Sequence, residues 1–206
     1  NTNVKIIISL HAAPDNWVNK NKWGLVLPRV YIKESIKSLI FNFWNPHIRR
    51  VVGAYRVTNK YLLLSKSYIR MFEETYHIDD KENKLIAIPN PCPFKDSYDG
   101  AVRENIVLAV SRMQEDQKRI FSMLRIWKRI YKYYPDWKLV IVGDGPDLTT
   151  YKQIASKLSN ITFEGHSSNV QSYYKKSKIF MMTSIWEGLP MTLIEAMHYG
   201  CVPIAF

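Results

Sequence analysis

The sequence predicts an α/β protein made of two Rossmann-like domains with parallel sheets, and three observations carry that prediction. From residue 94 onward, strand-length apolar runs alternate strictly with helix-period segments. The strand runs are rich in β-branched residues and are joined by short Gly, Asp and Ser loops. A proline cluster, PNPCPF at 89–94, separates this half from a less regular one. Three prolines in six residues fit neither a helix nor a central strand. The expected domains are therefore 1–93, a partial N-terminal Rossmann-like domain ending in that linker, and 94–206, the second Rossmann-like domain.

In the first half VKIIISLH, KYLLLS and KLIAI read as strands and KSYIRMFEETY as a helix, with an irregular stretch from Ala12 to Arg50. In the second half NIVLAVS (105–111) reads as a buried strand. QKRIFSMLRIWKRIYKYY (117–134) follows as one helix, with Ile120, Leu124, Trp127 and Tyr131 at helical spacing. Then come the strand WKLVIVG, the helix DLTTYKQIASKL, the strand NITFEG, the short helix NVQSYYKKS, the strand KIFMMTS, the helix PMTLIEAMHYG and the strand VPIAF. Near-continuous apolar strands of this kind belong to a parallel sheet covered on both faces.

The 206 residues are 47% hydrophobic and 23% charged, a globular composition. No apolar run approaches the ~18 residues of a membrane-spanning helix. The opening NTNVKIIISLH has no Met, no basic leader and no long apolar core, so no secretory signal is expected and the first residue reads as an internal cut. Cys92 and Cys201, 109 positions apart, offer neither a disulfide framework nor metal-ligand spacing, and a reducing cytoplasm is the simplest reading. A net charge of +11 attracts anions without choosing among phosphorylated small molecules, nucleic acid and anionic lipid. The basic, aromatic segment YIKESIKSLIFNFWNPHIRR either lies against an anionic membrane surface or is an ordinary domain helix.

In an open parallel sheet, ligands bind outside the carboxyl ends of the strands. Three loops open on that rim. RMQEDQK brings Arg112, Lys118 and a helix N-terminus, a set suited to a pyrophosphate, although surface cations would look the same. GDGP uses Gly143 and Gly145 for a tight turn; Leu148 stands where a dinucleotide fingerprint needs its third glycine, so this loop reads as structural. IWEGLP supplies Glu187, with Gly188 allowing close backbone approach and Pro190 fitting the first helical position. On a helical wheel Leu193, Ile194, Ala196 and Met197 share an apolar face, while Glu195 lies opposite and leans back toward Glu187. Glu195 is then either a ligand for a vicinal diol or an exposed surface acid. Cations for phosphates and carboxylates for hydroxyls together fit a nucleotide sugar.

VSRMQEDQK, WKLVIVGDGPD and EGLPMTLIEAMHYGCVPIA, in that order, resemble the nucleotide-binding half of the retaining GT-B glycosyltransferases of family GT4. The resemblance covers 105–206 densely, and the stretch from VTNKYLLLSKSYIRMF to KLIAIPNP is similar to the end of that family's acceptor domain. It implies a GT-B fold of two Rossmann-like domains, both truncated in this chain. Carried over by position, Arg112 and Lys118 neutralise the donor pyrophosphate. Glu187, with Gly188, Leu189 and Pro190, holds the transferred sugar and phosphate. Glu195 takes the ribose hydroxyls and His166 contacts the nucleobase. His11 faces the donor sugar, unless it is simply a structural histidine; with Glu187 it makes the catalytic set.

The implied activity is transfer of a hexosyl group, with retention, from a nucleotide sugar (a UDP-sugar in first preference) to a saccharide or lipid-linked acceptor in surface polysaccharide or glycolipid synthesis. The expected location is cytoplasmic, peripheral to the inner face of the membrane. No cofactor is expected. The chain has no Asp-x-Asp, so no metal is expected either. Two alternatives stand beside this reading: a GT-B epimerase or phosphorylase relative, and a non-catalytic nucleotide- or nucleic-acid-binding module. The aromatics sit mostly at core spacing without a basic, aromatic strand platform, so no nucleic-acid partner is expected.

Overall fold

The computed structural model describes residues 5–10, 45–96 and 98–206. His11 and most of the irregular stretch from Ala12, including the basic aromatic segment up to Trp44, lie outside the described residues. The chain divides into two compact units, Asn1–Asn90 and Pro91–Phe206.

The first unit has a parallel sheet in the order β1 (Ile7–Ser9), β2 (Lys60–Leu63), β3 (Leu85–Ala87), with helices α1 (Pro46–Val57) and α2 (Lys66–Tyr76). Helix α1 begins inside what the sequence reading took as irregular. Its signals are local: the Asn45 side chain accepts from the His47 amide at 2.9 Å, Pro46 occupies the first turn, and Ile48 and Val51 are buried. Phe72 of α2 is fully buried against Tyr61 and Tyr76, with ring centroids 4.9 and 4.7 Å away.

The second unit is a five-stranded parallel sheet: β4 (Glu104–Val110), β5 (Lys138–Val142), β6 (Ile161–Gly165), β7 (Ser177–Met182) and β8 (Val202–Ala205), in the order β6-β5-β4-β7-β8. Between them lie α3 (Glu115–Lys118), α4 (Ile120–Ile130), α5 (Leu148–Ala155), α6 (Val170–Lys176) and α7 (Met191–His198). The two-residue period of a strand sends alternate side chains to opposite faces. Val107, Ala109, Leu139 and Ile141 pack with Met123, Trp127 and Tyr151 on one face; Ile106, Leu108, Val140 and Val142 pack with Tyr174, Ala196 and Tyr199 on the other. An α/β fold with parallel sheets is therefore present in both units.

The single helix expected over 117–134 is broken. Arg119 adopts φ 54°, separating the short α3 from α4. The break is paid for by tertiary partners. The Thr183 hydroxyl meets the carbonyls of Lys118 and Arg119 at 2.9 and 3.1 Å, and the Phe121 amide donates to Glu115 Oε2 at 3.0 Å.

Candidate functional site

Strand β4 sits where the sheet reverses direction, with β5 and β6 running outward on one side and β7 and β8 on the other. The crevice beyond the carboxyl ends of β4 and β7 is thus the topological switch point, the place where such sheets bind ligands. Ser111, Lys118, Thr183, Ser184, Glu187 and Thr192 line it.

The loops that follow β4 and β7 are zipped together across this crevice. Lys118 Nζ and Glu187 Oε1 lie 2.6 Å apart, with side chains 21% and 19% exposed. The Ile185 amide donates to the Gln117 carbonyl at 2.9 Å, and Gln117 Nε2 to the Trp186 carbonyl at 3.2 Å. The two residues expected to hold pyrophosphate and sugar are thereby brought into direct contact. The break at Arg119 belongs to the same construction, since Thr183, which binds its carbonyls, leads out of β7 into the Glu187 loop.

The GDGP loop supports the first of these loops from behind. Gly143 has φ 139°, and a Cβ on it would lie 1.9 Å from the Ser111 carbonyl oxygen; at Gly145, with φ 157°, the distance is 2.6 Å to the Met113 oxygen. Glycine is required because backbone meets backbone there. Met113 donates its amide to the Asp144 carbonyl at 2.9 Å, and its own carbonyl accepts from the Asp147 amide at 3.1 Å.

At the helix N-terminus expected to offer amides to an anion at this loop, the first amide, that of Glu115, is taken by one of the protein's own carboxylates. Asp147 Oδ2 accepts from the Glu115 amide at 2.9 Å, and Glu115 Oε2 accepts from the Phe121 amide and from the Tyr151 hydroxyl, both at 3.0 Å. Burial and the Glu115 carboxylate push the Tyr151 phenol well above the tyrosine range, so it stays a donor. Helix α7 differs. It starts from Pro190, which is the N-cap rather than the first helical residue, and no side chain caps it.

Glu195 is half-buried rather than fully on the wet face. Its Oε2 accepts from the hydroxyl of Tyr174 on α6 at 2.8 Å. Helix α7 buries Ala196, followed by Tyr199, and leaves Met197 55% exposed, so the buried stripe is rotated from the one the wheel drew. The sheet face selects a stripe through Leu193, Ala196 and Tyr199, and Glu195 lies on its margin, against α6.

Arg112 follows β4 on the same rim; it is exposed, and its side chain has no ion pair among the described residues. Gly188 and Leu189 are half-buried in the turn between Glu187 and Pro190. His166 is exposed just past β6. Two strand spacings, roughly 10 Å, separate β6 from β4, and no contact joins His166 to the Lys118–Glu187 pair. His11 lies outside the described residues.

Sequence reasoning missed Ser184 and Tyr174. Ser184 is only 5% exposed, at the carboxyl end of β7, and its hydroxyl has no hydrogen-bond partner among the described residues. Hydroxyl residues directly after a strand at a switch point were the available signal. Tyr174 had none, because its partner is on another helix. Among the described residues no group of three or more His, Cys, Asp or Glu could hold a metal ion, and no helix is long and apolar enough to cross a membrane.

Comparison with known proteins gives this geometry a family. An uncharacterized glycosyltransferase of Haemophilus influenzae is 31% identical over 173 residues, covering 81% of this chain and 48% of that protein. The amylovoran biosynthesis glycosyltransferase AmsD of Erwinia amylovora is 39% identical over 112 residues, covering 52% of this chain and 30% of that protein. The chain thus spans half or less of the length of these relatives. In fold it resembles GT-B glycosyltransferases, among them the pneumococcal O-GlcNAc transferase GtfA in complex with UDP and GlcNAc, with a TM-score of 0.74 at 17% identity over 98% of this chain and 37% of that one. The family model for glycosyl transferases group 1 matches residues 94–206, more than half of the sequence and the whole of the rim just described, and the chain belongs to that family.

Proposed function

We propose that this chain carries the donor site of a retaining glycosyltransferase of the GT4 type. It would move a hexosyl group from a nucleotide sugar, a UDP-sugar in first preference, to a saccharide or lipid-linked acceptor for surface polysaccharide or glycolipid synthesis. The observation that carries this reading is the Lys118–Glu187 pair, 2.6 Å apart in the switch-point crevice, with Glu195 eight positions further on. The name of AmsD, an amylovoran biosynthesis enzyme, and the UDP and GlcNAc bound to GtfA favour the polysaccharide and UDP assignments.

In this reading Lys118 and Arg112 counter the charge that builds on the departing diphosphate, which is the main demand of a reaction whose new bond forms on the face the leaving group vacates. The uncapped start of α7 turns its amides to the same phosphates. Glu187 holds the sugar hydroxyls, with the backbone of Gly188, Leu189 and Pro190 beside it, and Glu195 holds the ribose. His166 would reach the base, and His11 the sugar. Protein cations take the place of a bridging metal, so turnover is expected without a divalent ion. The enzyme would work on the cytoplasmic side, with its basic N-terminal half against an anionic leaflet, and without nucleic acid.

The test is a thermal-shift panel with UDP, GDP, ADP and their sugars, repeated with chelator and with magnesium. A ligand at a hundred times its Kd stabilises by ~2.7 kcal/mol, a rise on the order of 10 °C for a unit of this size. One base should stand out, and Lys118→Ala and Arg112→Ala should each shrink its shift. No shift with any member of the panel, in a folded sample, overturns the donor-site reading. A shift that chelator abolishes and magnesium restores overturns the metal-free part.

A further inference from the structure

The second carboxylate of the site is not held by its own helix. Glu195 has one side-chain partner among the described residues, the Tyr174 hydroxyl, 2.8 Å from Oε2. Tyr174 is fully buried, and its ring has little room to move. It lies nearly parallel to Tyr199, with centroids 6.0 Å apart and planes 11° apart, and it meets Phe180 at 6.1 Å and Phe94 at 6.5 Å. Tyr199 is itself pinned, its hydroxyl donating to Asp96 at 2.8 Å while Lys175 pairs with that carboxylate at 2.7 Å. Burial, and then the charge of Glu195, push the Tyr174 phenol far above its ordinary range, so the phenol remains a donor and the carboxylate its acceptor.

We propose that Tyr174 is a positioning residue for ribose recognition: its hydroxyl fixes the Glu195 side chain through Oε2, so that Oε1 is presented to the vicinal hydroxyls of a ribonucleotide. This rests on the reading of Glu195 as the diol ligand. Oε1 has no hydrogen-bond partner among the described residues. A glutamate has three rotors, and ordering them is a cost that recurs at each binding event unless the free protein has met it already. Tyr174 meets it in advance, with a donor mounted on a packed aromatic cluster rather than on a loop. A buried tyrosine that merely satisfies its own hydroxyl would affect stability alone.

The experiment measures binding of three ribo and 2′-deoxyribo pairs, UDP and 2′-deoxy-UDP, GDP and 2′-deoxy-GDP, ADP and 2′-deoxy-ADP, by titration calorimetry. It uses the chain itself, Tyr174→Phe, Glu195→Ala, the double variant and Glu195→Asp, each checked for its fold by circular dichroism. The unaltered chain should prefer one ribonucleotide over its deoxy partner by roughly tenfold or more, the effect of one hydrogen bond to a charged group. Glu195→Ala should abolish that preference. Tyr174→Phe should reduce it severalfold while weakening the deoxy partner, which keeps only its 3′ hydroxyl for Glu195, by less, and the double variant should behave as Glu195→Ala does. Glu195→Asp, too short to reach the Tyr174 hydroxyl, should lose the preference as well and stands in if Tyr174→Phe does not fold.

Full ribose preference in Tyr174→Phe, or in Glu195→Asp, overturns the positioning role while leaving the Glu195 assignment intact. No ribose preference in the unaltered chain, or an undiminished one in Glu195→Ala, overturns the diol-ligand reading and the positioning role with it.

Discussion

Glu187→Gln separates the two tasks assigned to the Lys118–Glu187 pair. At 2.6 Å, unit charges attract by ~1.6 kcal/mol in bulk water and by ~6 kcal/mol at an effective dielectric of ~20. Both side chains are about four-fifths buried (21% and 19% exposed), so the cost of taking the two charges out of water offsets much of the attraction, leaving ~2 kcal/mol. In the unliganded protein that attraction ties up the cation a diphosphate needs. Glutamine keeps an acceptor oxygen for Lys118 but removes the competing charge, so free UDP should bind roughly tenfold to thirtyfold more tightly. A UDP-sugar should gain less or lose outright, because the charged hydrogen bond from Glu187 to a sugar hydroxyl, about 1.5–3 kcal/mol, goes with the substitution. The ratio of UDP to UDP-sugar affinity should therefore shift by ten- to a hundredfold. Titration calorimetry with UDP, UDP-glucose, UDP-galactose and UDP-GlcNAc at fixed ionic strength measures it, and the gain for UDP should shrink as salt is raised. If Glu187→Gln binds UDP more weakly than the unaltered chain, Glu187 organises Lys118 rather than competing for it, and the reasoning fails.

Three further outcomes follow from the geometry. Gly143→Ala would bring a Cβ to 1.9 Å from the Ser111 oxygen, well inside a tolerable contact; by strain and overpacking it should cost ~2–5 kcal/mol, and a melting temperature within a degree of the parent would contradict the backbone contact. Ser184→Ala should leave thermal stability almost unchanged, since the hydroxyl has no partner to lose among the described residues, yet weaken nucleotide-sugar binding; unaltered binding in an affinity assay would remove Ser184 from the site. In the first unit, burial pushes the Asp80 carboxyl up, but the Tyr55 hydroxyl and the amides of Leu85 and Lys84 outweigh it and hold the group below its usual range. A depressed folded pKa gives stability that is present above the unfolded value, ~3.9, and lost as pH falls below it through the folded one. Asp80→Asn should flatten acid unfolding of that unit over this window, and an unchanged acid titration would show that Asp80 does not drive it.

Much of the second unit was legible as sequence. Buried parallel strands are continuous apolar runs, and the helices between them carry a 3.6-residue period, so β4 through β8 could be placed in order. The glycines of GDGP were readable as a tight turn for the same local reason, their φ being one that other residues resist. The break at Arg119 was not readable. The periodic residues Ile120, Leu124 and Trp127 all lie on its C-terminal side, in α4, and what stabilises the break is the Thr183 hydroxyl just past β7, 64 residues away in sequence. The start of α1 could have been read from Asn45 and Pro46, a cap signal passed over within a stretch that otherwise lacks a clear period.

The two glutamates divide along the same line. Their spacing in EGLPMTLIE, the turn between them and the cations upstream are properties of the chain's order, and from these the sequence by itself leads to the expectation of one rim shared with Arg112 and Lys118. Only the tertiary structure decided that Glu187 closes onto Lys118 and that Glu195 leans on Tyr174 rather than standing in water. Local periodicity states which face of a helix is apolar, but the partner of a polar group is selected by packing between elements far apart in sequence. A half-buried carboxylate takes whichever donor that packing brings within 3 Å.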